Sequence, residues 1–261
     1  MIGYHTKFSG KDPYKSISDA YKKTNCKAFQ IYLKNPRSWS LANINEENAI
    51  KCHEFIKSNN IFLVAHQVYP VSTATLNDKG INSAVDDMIW IKKLGGIGVV
   101  FHIEKAKIGG DLDQLRKFIN ICLSRTTDTL FILETMAGQS DELLVDLQEF
   151  GNFYKSLNSD RVKVCVDTCH VFSAGYDIRL NKFYDNFNKW IGWKNVVVCH
   201  LNDSKTKFNS KRDRHENLGE GSIGINGIKL FINKNKDIPM ILETPNCKLG
   251  NMSKDIKKIS L

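Results

Sequence analysis

No stretch of this chain approaches the roughly 20 consecutive apolar residues that a membrane helix needs, so a bilayer-spanning protein is not expected. The opening residues MIGYHTKFSG lack a charged segment followed by an apolar one, so no secretory signal is expected either. Cysteine is present but unpaired in pattern: seven residues, an odd number, with no local pairing of spacings. Cys165 and Cys199 lie inside apolar runs, which fits reduced thiols in an intracellular protein, cytoplasmic or nuclear. No glycine-rich phosphate-binding turn follows the first apolar run, which argues against an open dinucleotide-binding sheet. Linkers and low-complexity segments are missing as well, so residues 1–261 read as a single domain and, by default, a compact monomer.

What the chain does have is a rhythm. Eight short apolar runs occur at near-regular intervals: Met1–His5, Lys27–Leu33, Ile61–His66, Gly96–His102, Thr129–Glu134, Val162–Asp167, Asn195–His200 and Ile238–Glu243. They are rich in Val, Ile, Leu and Phe and continuous rather than alternating, as strands covered on both faces are. Amphipathic stretches of helical length separate them, among them Glu46–Asn59, Asn82–Leu94, Leu112–Arg125, Asp141–Leu157 and Lys182–Trp193. Ile50, Phe55 and Ile56 form the expected inward stripe of the first, and Leu115, Phe118, Ile119 and Leu123 that of the third. Strand and helix in strict alternation, with a repeat of roughly 30 residues and a chain near the usual 250, predict an α/β fold of the (β/α)8 TIM-barrel class.

Six runs finish on or beside a side chain able to bind metal: His66, His102, Glu134, Asp167, His200 and Glu243. In a (β/α)8 barrel the active site lies where strands end, and rigid strand ends suit metal geometry. His170, Asp213 and His215 follow two of these strands closely. One such residue alone is usually a satisfied core group; six together would each need a separate compensation. Imidazole mixed with carboxylate suits Zn²⁺, with Mn²⁺ or Fe²⁺ possible, and nine ligand-type residues exceed what one or two ions need. A multinuclear centre supplies a hydroxide nucleophile at neutral pH and stabilises both oxygens of an in-line phosphoryl displacement. A thiolate ligand from the cluster Cys165, Asp167, Cys169 and His170 is a lesser alternative. His5 and His53 are left outside the ligand set, His53 as a surface residue of a helix.

Lys and Arg number 37 against 28 Asp and Glu, a formal charge of +9, which favours a polyanionic partner such as nucleic acid. After the seventh run, in HLNDSKTKFNSKRDRHENLGEGSIG, Lys205, Lys207, Lys211, Arg212 and Arg214 interleave with His200, Asp213 and His215. That arrangement suits a polyanion held beside metals. Gly219, Gly221 and Gly224 allow the tight turns that follow.

Four segments, ETMAGQ from Glu134, VDTCHVFSAGYDI from Val166, HLNDSK from His200 and DRHENLGEGSIG from Asp213, resemble the endonuclease IV family of metal-dependent apurinic/apyrimidinic endonucleases, and the resemblance runs along the whole chain. It implies a β/α barrel with three zinc ions: one held by His66, His102 and Glu134, a second by Glu134, Asp167, His200 and Glu243, a third by His170, Asp213 and His215. It implies hydrolysis of duplex DNA 5′ to an abasic site, leaving a 3′-hydroxyl and a 5′-deoxyribose phosphate, together with cleaning of blocked 3′ ends. Glu134 would bridge two ions and Glu243 would orient the nucleophile. Arg37 in LKNPRSW and Tyr69 match the family's duplex-inserting positions, and Lys205, Arg212 and Arg214 would contact DNA. The chain departs from the family after His66 (Gln67-Val68), after His102 (Ile103-Glu104-Lys105) and in the first loop HTKFSGKD, all on the DNA-facing side. A two-metal sugar isomerase of the same barrel type, using Glu134, Asp167, His200 and Glu243, is the alternative, against which the DRH segment and the charge of +9 stand.

Overall fold

The computed structural model describes residues 1–38, 40, 42–69, 71, 73–103 and 111–259. Eight parallel strands follow the order β1-β10-β7-β6-β5-β4-β3-β2 of a closed barrel, the TIM-barrel class expected from the rhythm of apolar runs. Residue contacts cluster into two compact units, His5–Leu133 and the set Met1–Tyr4 with Glu134–Leu261.

In the unit His5–Leu133, strands β2 (Ala28–Ile31), β3 (Phe62–His66), β4 (Gly98–Phe101) and β5 (Leu130–Glu134, of which all but the last residue belongs here) pair in parallel, with Phe29 opposite Leu63, Val64 opposite Gly98 and Phe131 opposite Val99. Nearly every strand residue is buried, which is why these runs carry no polar alternation. The helices α1 (Pro13–Thr24), α2 (Glu46–Ser58), α3 (Asp78–Lys93) and α4 (Leu112–Ser124) each start behind an Asp or Asn whose side chain accepts a first-turn N–H: Asp12, Asn45, Asn77 and Asp111. Phe101 stacks on Phe131 at 3.9 Å, and Phe118 meets both edge-on.

Two sequence expectations change here. The buried stripe of α2 is Ala49, Cys52 and Ile56, and Ile50 is 61% exposed. Counting back from Ile56 in steps of four and three gives 52 and 49, so Ile50 falls on the outer face. In α4 Cys122, not Leu123, completes the stripe of Leu115, Phe118 and Ile119.

The other unit contains β1 (Ile2–His5, without its last residue), β6 (Val162–Asp167), β7 (Val196–His200) and β10 (Met240–Leu242). β10 lies between β1 and β7, pairing Ile2 with Met240 and Ile241 with His200, and β6 pairs with β7. Between them come α5 (Leu147–Ser156), α6 (Thr168–Ser173), α7 (Asn181–Trp190) and, after a two-stranded antiparallel ribbon of β8 (Asp203–Ser204) and β9 (His215–Glu216), α8 (Gly224–Lys234). Short α9 (Pro245–Lys248) and α10 (Ser253–Ile259) follow β10. α5 starts at Leu147, later than the stretch from Asp141 suggests, because Leu144 adopts φ +55° and Asp146 accepts the N–H groups of Gln148 and Glu149 as the cap. Trp193 packs against Phe187 at 4.2 Å and against Phe183, Tyr184 and Phe231. All seven cysteines are buried free thiols, as expected for reduced cysteines. Among the described residues no helix is long and apolar enough to cross a membrane.

Candidate metal centre

Glu134, Asp167 and His200 are the last residues of β5, β6 and β7, and Glu243 follows β10 directly. Their ligand atoms all lie within 4.8 Å of one another. His200 Nδ1 sits 2.8 Å from Glu134 Oε1, 3.3 Å from Glu243 Oε2 and 3.8 Å from Asp167 Oδ2. Glu134, Asp167 and His200 are buried, and the Glu243 side chain keeps 14% exposure, so it is the member of this group open to solvent.

Beside them His170, Asp213 and His215 form a second group. His170 stands in the first turn of α6, where its N–H donates to Asp167 Oδ1 at 2.9 Å. Its Nδ1 lies 2.8 Å from the Thr135 carbonyl. A carbonyl only accepts, so Nδ1 carries the hydrogen and Nε2 presents a lone pair toward Asp213. His215 opens β9 opposite Ser204 of β8, and Asp213 lies two residues before it in the connecting loop. The Asp213 N–H donates to Gln139 Oε1 at 3.3 Å.

Three of the donor spacings match a metal's ligand edge. For bonds of about 2.0–2.1 Å, the edge of a tetrahedral Zn²⁺ site is about 3.3–3.4 Å. Asp213 Oδ1 is 3.3 Å from His170 Nε2 and 3.2 Å from His215 Nε2, and His200 Nδ1 is 3.3 Å from Glu243 Oε2. His215 Nε2 also faces Asp167 Oδ2 at 3.5 Å, which joins the two groups through that carboxylate.

In the unit His5–Leu133, His66 ends β3 and His102 follows β4 by one residue, with ring centroids 5.0 Å apart. His66 Nδ1 lies 2.8 Å from the Gln67 carbonyl, which again directs the hydrogen to Nδ1 and leaves Nε2 as the ligand atom.

A family model described as "Xylose isomerase-like TIM barrel" matches residues 18–259. A probable endonuclease 4 from Sulfurihydrogenibium sp. (strain YO3AOP1) is 30% identical over 97% of this chain and 96% of its own length. An apurinic-apyrimidinic endonuclease of Caenorhabditis elegans is 31% identical over 95% of this chain and 67% of its own. The crystal structure of endonuclease IV from Thermus thermophilus superposes with a TM-score of 0.86 at 26% identity, covering 99% of this chain and 98% of that one. The chain belongs to the endonuclease IV family.

Within this family member, electrostatics point the same way as spacing. Four carboxylates, Glu134, Asp167, Asp213 and Glu243, meet in one largely buried region, an arrangement that requires positive charge nearby. Burial alone would lower the pKa of His170, yet the carboxylates of Asp167, Asp213 and Glu134 raise it well above the ordinary imidazole value. His200 and His215 are raised against burial in the same way, His200 by Cys165, Glu243 and Glu134 and His215 by Asp167, Asp213 and Glu243. Burial raises Asp213, but His170 and His215 hold it far below the usual carboxylate range. A divalent cation held by this donor set would supply that positive charge in place of protons on the imidazoles. Burial pushes the thiols of Cys165 and Cys169 up to about 12, so both remain neutral thiols beside the centre.

The residues expected to face DNA are exposed. Arg37, Lys205, Arg212 and Arg214 are open to solvent, and Tyr69 is 66% exposed. The Tyr32 hydroxyl donates to the Tyr69 hydroxyl at 3.3 Å, and Tyr32 also meets the His66 ring edge-on. Arg214 donates to the Asp213 carbonyl at 2.6 Å. Of the departures from the family pattern, Gln67 is buried and donates to the Val71 carbonyl, and Ile103 is buried. Glu104 and Lys105 lie outside the described residues. His53 is exposed on α2 as expected. His5 Nδ1 lies 3.1 Å from Gln30 Nε2, consistent with its place outside the ligand set.

Sequence reasoning passes over Asn202. It is fully buried, donates from Nδ2 to Asp167 Oδ2 at 2.8 Å and accepts the Glu243 N–H at Oδ1 at 3.0 Å. One amide therefore orients the carboxylate of one candidate ligand and fixes the backbone of another. Only its place directly after Leu201 at the end of the seventh run hints at this.

Proposed function

We propose that this chain is a zinc-dependent apurinic/apyrimidinic endonuclease that hydrolyses duplex DNA 5′ to an abasic site and trims blocked 3′ ends. The observation that carries the reading is the pair of donor groups, Glu134–Asp167–His200–Glu243 and His170–Asp213–His215, each with its ligand atoms within 4.8 Å of one another and the two joined through Asp167. Family membership supplies the substrate class, since the curated relatives bear the names endonuclease 4 and apurinic-apyrimidinic endonuclease.

In this reading one zinc is held by His66, His102 and Glu134, a second by Glu134, Asp167, His200 and Glu243, and a third by His170, Asp213 and His215. Zinc supplies a hydroxide nucleophile at neutral pH and neutralises charge on the phosphate and leaving oxygen. The remaining work falls to the chain. Glu134 Oε1 stands 2.8 Å from His200 Nδ1, so the two would present their donor atoms to the same ion. Glu243, the solvent-facing carboxylate, orients the nucleophile. Lys205, Arg212 and Arg214 grip phosphates, and Arg37 and Tyr69 enter the duplex at the lesion. An abasic nucleotide has no base to unpair, so rotating it out of the helix costs least there. The protein acts as a monomer on one lesion at a time.

The test is cleavage of a labelled duplex with one abasic-site analogue, before and after chelation, with zinc per protein measured on the same sample. Incision 5′ to the lesion that disappears on chelation is expected. No incision by metal-loaded protein, under conditions where an authentic enzyme cuts, would overturn the reading.

A further inference from the structure

Glu134, Asp167, His200 and Glu243 stand at strand ends or directly after them, where backbone pairing holds them. Asp213 and His215 do not: they lie on a long loop tied to the fold before Asp213 by the bonds of the Asn209 and Lys211 N–H groups to the Phe172 and Ser173 carbonyls, and after it only by the two-residue ribbon of β8 and β9. Metal geometry tolerates about 0.5 Å of misplacement, and loops are less exact than strands. Something must therefore hold this loop.

The Asp203 carboxylate is fully buried and is surrounded by backbone N–H groups. Oδ1 accepts from Ser204 at 2.8 Å and Ile223 at 2.9 Å. Oδ2 accepts from Gly219 at 2.9 Å, Gly221 at 3.1 Å and Gly224 at 3.2 Å. The donors come from both ends of the loop, and an ionised carboxylate binds such donors about twice as strongly as a neutral acceptor. The Ser222 N–H adds a bond to the Ser204 carbonyl at 2.7 Å. The fit is tight at Gly221, where a Cβ would stand 2.4 Å from the Ser204 oxygen and 2.5 Å from Asp203 Oδ1. Asp203 itself pairs with Glu216 across the ribbon, next to the Ser204–His215 pair. α8 has no side-chain cap of its own, so the same carboxylate also serves its first N–H groups.

We propose that Asp203 is a positioning residue of the metal centre: by gathering residues 219–224 onto the base of the β8–β9 ribbon, it sets where Asp213 and His215 meet His170. The inference rests on the metal reading above and assigns Asp203 no contact with metal or substrate.

Asp203→Asn removes the charge and turns an amide N–H₂ toward backbone donors. Gly221→Ala disturbs the same cradle while keeping the carboxylate, and serves where the first variant folds poorly. Zinc content, zinc affinity by chelator competition and the visible spectrum of the cobalt-substituted protein would be compared with the parent, alongside thermal melts of metal-loaded and metal-free protein. Both variants should lose affinity for one zinc equivalent by about 10–100-fold, the effect typical of removing an outer partner of a metal ligand, while the other equivalents keep parental affinity. Zinc addition should restore part of the lost incision. Equal melting losses with and without metal, and unchanged affinity for every equivalent, would mean that Asp203 only caps α8. Uniform weakening of all equivalents would overturn the proposal as well. A parent protein that binds no chelatable metal would overturn both this inference and the functional reading.

Discussion

Asn202 Nδ2 donates to Asp167 Oδ2 at 2.8 Å, so the carboxylate that joins the two donor groups is held in place by the residue two positions after His200. Replacing Asn202 by Ala frees Asp167 to rotate and removes the side-chain acceptor of the part-buried Glu243 N–H. Metal affinity should fall about 10–100-fold in chelator competition. Stability should fall by about 1–3 kcal/mol from the orphaned amide. An unchanged affinity would show that Asp167 is oriented by the strand alone.

His66→Ala and Asp213→Ala should abolish incision while costing little stability. Both would remove a proposed ligand, and the Asp213 side chain is 34% exposed, so no large cavity is left there. The check is incision rate against melting temperature for each purified variant. A loss of folding that matches the loss of rate would assign these residues to the core instead.

Binding to an abasic duplex should weaken with salt by about 0.9 log units per log unit of salt for each phosphate neutralised. Arg212→Ala should reduce that slope by about one phosphate and weaken binding to intact and abasic duplex alike. Arg37→Ala should instead narrow the gap between the two duplexes, because an inserted side chain senses the missing base. Titration of both duplexes at several salt concentrations separates the two behaviours. An Arg37 variant that keeps the parental discrimination would remove that residue from the insertion role.

Stability should also depend on pH away from the metal centre. Lys34 follows β2 by three residues, its buried ammonium 3.0 Å from Asp87 and 3.7 Å from Asp86 on α3. Burial pushes Asp87 up to about 7, with Lys34 opposing and Asp86 adding to the rise. A carboxyl raised in the folded state favours folding while it is protonated, so its contribution is full below about pH 4 and is lost as pH rises through about 7. Asp87→Asn should flatten the melting-temperature profile between about pH 4 and 7. A profile as steep as the parent's would place the titration elsewhere.

The strand ends were readable in advance because a parallel strand buried on both faces leaves an unbroken apolar run whose last polar residue is conspicuous; Glu134, Asp167 and His200 are such residues. α1 and α8 were not readable in that way. α1 presents YKSISDAYKK, mostly polar, with only Ile17 and Ala20 as buried apolar side chains after Pro13, and α8 begins among glycines and takes its cap from Asp203, twenty-one residues before its first residue. Asn202 and Asp203 were opaque for a related reason. Their partners are backbone groups and a carboxylate brought near by the fold, and backbone N–H groups have no sequence signature. Ile50 was misplaced because three apolar residues in a helix do not share a face unless their spacing is three or four.

The loop after β7 is braced at both ends of its course: the Asp203 cradle and the β8–β9 ribbon hold its root, and beyond the ribbon the Asn209 and Lys211 N–H groups donate to the Phe172 and Ser173 carbonyls at the end of α6. Asp213 lies between Lys211 and the ribbon, so its approach to His170 is fixed from both sides. The side chains of Lys205, Lys207 and Arg212 stay exposed on this braced backbone. Exchange of those side chains could retune reach along a polyanion, whereas insertion or deletion of residues among them would disturb the chemistry as well.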